Sequence, residues 1–237
     1  MDYHEMKRRL AEIVLKKSFA YACNSNPLFT LTSGRTSNFY FNCKPTTLDP
    51  EGMNLIGEIV FEMLRDADVT AAGGLTLGAD PIANALSLIS YQKGKPIKSF
   101  TVRKEIKGHG TKSAIEGDVK PGEKVVILDD VITTGGSTIT AIERVREAGL
   151  VVDRVIVLID REEGGRENIV EKGRVNRACI SAVLTRTEIM ALFRGQGPGA
   201  RGQGPGIRGQ GSEVRGQGSG ARDQRLGVRD QGLGIRG

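Results

Sequence analysis

What most constrains this chain is a recurring alternation between short, unbroken apolar runs and longer stretches with helical spacing. Lys124 to Leu128 (KVVIL) and Val155 to Ile159 (VIVLI) lack polar alternation, as expected of strands covered on both faces. Further strands are predicted at Leu28 to Leu31, Phe39 to Asn42, Val69 to Gly73, Ile97 to Val102 and Ala178 to Leu184. Helical spacing covers Asp2 to about Cys23, about Gly52 to Arg65, about Pro81 to Gln92, and Ser137 to Glu147. Strands alternating with helices predict an α/β fold built on a mainly parallel sheet flanked by helices.

The pattern stops near Arg194. From there Arg194, Arg201, Arg208, Arg215, Arg222, Arg229 and Arg236 recur every seven residues, in units such as RGQGPGA. This heptad is not a coiled coil, because glycine at alternate positions raises the entropy cost of ordering and each unit offers little apolar surface. Residues 194–237 are therefore expected to be a disordered, low-complexity tail, and residues 1–193 the folded domain. The tail holds eight arginines against three acids and so carries five of the six net positive charges. The domain itself is close to neutral. An RNA-binding role for the tail is the competing reading, but it has no aromatic side chain for base stacking, so no nucleic-acid partner is expected.

Other classes fall away quickly. Three widely spaced cysteines, Cys23, Cys43 and Cys179, form neither a disulfide framework nor a zinc pattern, which predicts a reducing, cytoplasmic setting. The charged N-terminus has no secretory core, and no stretch nears the roughly 18 apolar residues of a membrane span.

In parallel sheets ligands collect at the carboxyl ends of the strands, so residues just after each apolar run are informative. The strongest such segment is LDDVITTGGST. Asp129 and Asp130 are predicted to emerge where KVVIL ends, followed by Val131, Ile132, Thr133, Thr134, Gly135, Gly136 and Ser137 before the next helix. Glycines admit a close backbone, hydroxyls and amides donate, and a helix N-terminus adds positive potential, which together make a phosphate cradle. Two adjacent acids do not attract phosphate and call for sugar hydroxyls or hydrated Mg²⁺. Turn and capping roles account for the hydroxyls but not for this acid pair. Neither a Walker loop nor a dinucleotide fingerprint is present.

This eleven-residue pattern resembles the phosphoribosyl pyrophosphate (PRPP) signature of the type I phosphoribosyltransferases. A second segment, VRKEIKGHGTKSAIEGD, puts Arg103, Lys104, Lys107 and His109 within seven residues and resembles the mobile catalytic loop of the orotate-using members. FTLTSGR (Phe29 to Arg35) with Phe39, Tyr40 and Phe41 resembles their N-terminal hood, here about residues 1–45 ahead of a core of about 46–193. Asp160-Arg161-Glu-Glu-Gly-Gly165 resembles the segment whose arginine meets the orotate carboxylate. Two departures stand out: Thr32 and Gly78 occupy positions where many members have lysine, and Lys44 is the candidate replacement donor.

The resemblance implies transfer of the phosphoribosyl group from PRPP to orotate, giving orotidine 5′-monophosphate and pyrophosphate, in pyrimidine biosynthesis. It implies Mg²⁺ carried by PRPP, with no direct protein ligand and with water-bridged contact to Asp129 and Asp130. It places Lys107, His109 and Asp130 in catalysis, Arg103, Lys104, Lys107, His109 and residues 129–137 on PRPP, and Thr133 and Arg161 on orotate. It further implies a homodimer whose 103–110 loop acts across the interface. The alternatives are a phosphoribosyltransferase for another base, or a PRPP-sensing or RNA-binding regulator without turnover.

Overall fold

The strand β8, Lys124–Ile132, explains the architecture. Its alternate residues Val125 and Ile127 enter one apolar cluster, and Val126 and Leu128 enter another, so both faces are covered. That is why its sequence reads as a continuous apolar run. The computed structural model describes residues 1–22, 29–30, 36–105 and 114–195. These belong to one compact unit.

In chain order the elements are α1 (Tyr3–Lys17), β1 (Phe19–Tyr21), β2 (Phe29–Thr30), β3 (Thr36–Ser37), β4 (Phe39–Phe41), α2 (Lys44–Thr47), α3 (Pro50–Met63), β5 (Ala71–Leu75) and α4 (Asp80–Gln92). They continue with β6 (Lys98–Val102), β7 (Ile115–Glu116), β8, α5 (Gly136–Glu147), β9 (Val151–Asp160), α6 (Gly165–Glu171), β10 (Ile180–Thr185) and α7 (Arg186–Gly195). The main sheet has the order β10-β9-β8-β5-β6-β7, and all its pairings are parallel except β6 with β7. Helices α1, α3, α4 and α7 contribute to the cluster on one face. Helices α5 and α6 contribute to the cluster on the other.

The α/β architecture matches the sequence expectation; the short helices α2 and α6 were not expected, and three further differences bear on the site and the domain boundary. Helix α1 stops at Lys17, not near Cys23, because Phe19-Ala20-Tyr21 pairs with Phe41-Tyr40-Phe39 as an antiparallel ribbon. The Ser18 N–H closes the helix on the Val14 carbonyl. Strand β8 runs four residues beyond Leu128, so Asp129 and Asp130 lie within its ladder against β9 and not after it. Helix α7, absent from the sequence reading, buries Ile189 and continues to Gly195, so the composition break at Arg194 falls inside its last turn. The expected disorder of the tail concerns residues 196–237, which lie outside the described residues.

Candidate active site

The last third of β8 carries the site. The two-residue period of the strand sends its adjacent acids to opposite faces. Asp129 follows Val125 and Ile127 toward α5, and Asp130 follows Val126 and Leu128 toward the turn ahead of α4.

Asp129 is only 4% exposed. Its Oδ2 accepts from Ser137 Oγ and Thr138 Oγ1, each at 2.7 Å, and its Oδ1 accepts from the Asp130 N–H at 3.1 Å. Burial pushes this carboxyl up to about 6 despite the lowering effect of the two hydroxyls. Asp129 thus ties the first turn of α5 to the strand. Gly135, at φ 79°, starts that helix, and a Cβ there would meet the Gly165 carbonyl at 2.8 Å, so no other residue allows the loop to pass this closely. Gly136, next to it, has nothing within 4 Å of a built Cβ. The N–H groups of the first α5 turn lack carbonyl partners within a helix, and this turn lines the cleft described below. Asn168 of α6 supports the loop from behind by donating to the Thr134 carbonyl at 2.9 Å.

Asp130 lines the cleft. Its carboxyl is also raised by burial, opposed by the Val131 N–H and by the positive charge of Lys44. A Cβ on Gly78 would stand 2.7 Å from Asp130 Oδ1, so any side chain at position 78 displaces this carboxylate. The turn holding Gly78 is fixed through Asp80, which accepts from Thr76 Oγ1 at 2.7 Å and from Thr101 Oγ1 at 2.9 Å. The buried Cys43 thiol donates to the Asp130 carbonyl at 3.9 Å, and burial with the two nearby carboxylates pushes it well above the usual thiol range.

Arg161 follows β9, its N–H donating to the Ile132 carbonyl at 3.1 Å. The residue is 3% exposed. Its Nε and Nη2 donate to Glu163 Oε1 at 3.1 and 2.8 Å, its Nη2 reaches Ser37 Oγ at 3.4 Å, and its guanidinium lies 4.8 Å from the Phe39 ring centre. Tyr40, on the same short strand, stacks on Phe29 with ring centres 5.7 Å apart.

Together these parts bound a cleft of about 550 Å³ that brings Asp130, Thr133, Ser137 and Arg161 to one place with Tyr40 and Lys44. That volume suits a ligand of nucleotide size. The family described as the phosphoribosyl transferase domain matches residues 71–175. An orotate phosphoribosyltransferase of Aquifex aeolicus is 48% identical over 167 residues, covering 70% of this chain and 90% of that protein. One of Rhodopseudomonas palustris is 47% identical over 186 residues, covering 77% and 97%. This chain belongs to the orotate phosphoribosyltransferase family. Solved structures agree: the Mycobacterium tuberculosis orotate phosphoribosyltransferase in complex with PRPP is 34% identical, with a TM-score of 0.62 over 78% of this chain and 99% of that one. The same enzyme in complex with Fe(III) dicitrate gives 35% and 0.65, covering 78% and 98%.

Within this family frame, Val131, Thr133, Thr134, Gly135, Gly136 and Ser137 all line the cleft, as Asp130 and Arg161 do. Two residues of the signature do not. Asp129 is engaged behind the loop, so the expectation that both acids face sugar hydroxyls divides, and Ile132 is 1% exposed in the apolar core. Arg103 is ion-paired with Glu116, and neither it nor Lys104 lines the cleft. Lys107, His109 and Thr32 lie outside the described residues. Sequence reasoning missed Glu163 as the partner of Arg161 and Asp80 as the anchor of the Gly78 turn. The Asp-Pro pair opening a helix is the one local signal for the latter.

Among the described residues no group of three or more acidic, histidine or cysteine side chains converges to hold a metal. The acid on the cleft is Asp130, and its Oδ1 already accepts the Val131 N–H at 2.9 Å. Such a donor set fits a hydrated Mg²⁺ brought in on phosphate oxygens better than a dedicated protein cage.

Proposed function

We propose that this protein transfers the 5-phosphoribosyl group of PRPP to orotate, releasing pyrophosphate and forming orotidine 5′-monophosphate, a step of pyrimidine biosynthesis. The observation that carries this reading is the convergence, in one cleft, of an anion cradle, a sugar-facing carboxylate and a buried guanidinium beside aromatic rings.

Each part has a task. The 5′-phosphate sits against the amides and hydroxyls of residues 133–137, where the α5 N-terminus favours negative charge. This fixes the sugar and spends binding energy on orientation. Asp130 accepts from ribose hydroxyls and its charge stabilises the oxocarbenium-like carbon formed as the bond to pyrophosphate breaks, the electron pair leaving on oxygen. The orotate ring nitrogen then supplies the pair for the new bond, and its proton passes to an oxygen of the departing pyrophosphate. Arg161 and Thr133 hold orotate, with the carboxylate replacing part of the Glu163 pairing of Arg161. Glu163 keeps the guanidinium oriented while the site is empty. Mg²⁺ carried in on the pyrophosphate would supply charge neutralisation, and Asp130 is the residue that would hold it, through water.

Arg103, Lys104, Lys107 and His109 complete the reading as donors to the leaving group, acting across a homodimer interface. The cytoplasm is the proposed location, a compartment that suits the free thiols Cys43 and Cys179. No helix among the described residues is long and apolar enough to cross a membrane.

Loss of orotate absorbance on mixing the full chain with orotate, PRPP and Mg²⁺ tests the assignment, with adenine, hypoxanthine and uracil in parallel. Turnover of orotate alone is the expected result. Turnover of another base in its place would move the protein to a different substrate class. PRPP binding without turnover of any base would make it a sensor.

A further inference from the structure

The bound substrates of the proposed reaction present three anionic groups, and the cleft offers three different kinds of partner. The cradle at residues 133–137 is made of neutral donors on a helix N-terminus, suited to a phosphate monoester. Arg161 is planar, buried and already paired to Glu163, suited to exchanging one carboxylate for another. Lys44 is the third. It opens α2 directly after the β4 strand, lines the same cleft, and has an exposed side chain. Among the described cleft residues it is the one cation that makes no ion pair, whereas Arg161 carries Glu163.

Its placement relative to the reacting centre is also defined. Cys43, the preceding residue, packs its sulfur on the Asp130 carbonyl, and the Lys44 charge acts on the Asp130 carboxylate. On its other side, that carboxylate faces Gly78, whose turn contributes no cation. A polyphosphate beside Asp130 therefore meets a carboxylate and an uncharged turn, and a positive group of the same cleft favours its binding there. An ammonium on a flexible, solvated stem suits a phosphate that must bind and then leave, because it acts as a point charge without a fixed fork.

We propose that Lys44 is a further substrate-binding residue, the cleft's own cation for the pyrophosphate group of PRPP, which it holds together with the donors of the 103–110 loop as that group departs. The proposal rests on the phosphoribosyl-transfer reading and names the residue on which its leaving group is held. It also assigns Lys44 a role separate from orotate recognition.

The test compares wild type with Lys44→Ala, Lys44→Met and Lys44→Arg, all at an exposed position where folding is not at stake. Loss of one charge-assisted contact should weaken product inhibition by pyrophosphate and raise the KM for PRPP about ten-fold or more. The KM for orotate should stay within about two-fold, and Lys44→Arg should recover most of the loss. Pyrophosphate inhibition unchanged in Lys44→Ala overturns the proposal, as does a rise confined to the orotate KM. Calorimetric titration of pyrophosphate with Mg²⁺ into the same proteins separates this inference from the reaction assignment. If wild type fails to turn over orotate but binds pyrophosphate, weaker binding by Lys44→Ala still supports the residue's role, and equal binding refutes it.

Discussion

Replacing Asp129 by asparagine should make the protein more stable and less active at once. Asp129 is almost fully buried, and its carboxyl is raised from 3.8 to about 6 chiefly by burial. At 1.36 kcal/mol per pH unit, keeping it ionised in the fold costs about 3 kcal/mol at pH 7.5. Asparagine removes that charge while its carbonyl oxygen can still accept from Ser137 and Thr138. Its amide nitrogen then faces the Asp130 N–H now held by Oδ1, a lost hydrogen bond that costs about 1 kcal/mol. The net gain of about 2 kcal/mol corresponds to a rise in Tm of about 4–8 °C for a domain of this size. The sign follows from linkage. A carboxyl raised in the fold destabilises only where the native state is ionised, so the variant's advantage is absent below about pH 4, grows as pH rises toward 6, and is constant above it. Scanning calorimetry of both proteins at pH 4, 5, 6 and 7.5 and equal salt reads this directly. In the same variant kcat should fall about ten-fold or more, because a negative charge behind the developing sugar cation is gone. A wild type more stable than the variant at pH 7.5, or a Tm difference that does not change with pH, would refute the reasoning.

Gly136→Ala should fold with Tm nearly unchanged, because a Cβ there meets nothing, and yet raise the KM for PRPP about ten-fold by filling the cradle. Gly135→Ala, at φ 79° and against the Gly165 carbonyl, should instead lower stability by about 1–3 kcal/mol, measured by urea unfolding. Arg161→Gln should raise the KM for orotate by about 10- to 100-fold while leaving that for PRPP within about two-fold, since the lost interaction is one charge-assisted pair. An equal rise in both constants would mean that the residue supports the whole cleft and not one substrate.

The architecture was largely legible in the chain because its determinants are local. Unbroken apolar runs need cover on both faces, helical spacing supplies that cover, and the Thr-Thr-Gly-Gly turn can open a helix with a bare N-terminus. Boundaries were read less well where a tertiary partner overrode the local pattern. Phe19 and Tyr21 continue the spacing of α1, but pairing with Phe41 and Phe39 draws them into a strand. Helix α7 has an amphipathic face whose meaning depends on the cluster that buries Ile189.

For the site, the inventory was readable in the chain: two acids, a glycine-rich turn, an arginine after a buried strand, and a nearly neutral body with its charge displaced to the tail. The tertiary structure decided the roles. Asp129 and Asp130 are chemically identical neighbours, and only the pleat of β8 together with the cover on each face makes one an internal brace and the other a wall of the cleft. Arg161 acquires its orientation from Glu163 two residues on and from Ser37 and Phe39 more than a hundred residues earlier. Lys44 stands out as a cleft cation because the fold sets it near enough to Asp130 for its charge to act there while it makes no close ion pair among the described residues. Residue type fixes what a group can do, whereas burial, parity and long-range neighbours fix which of those things it does.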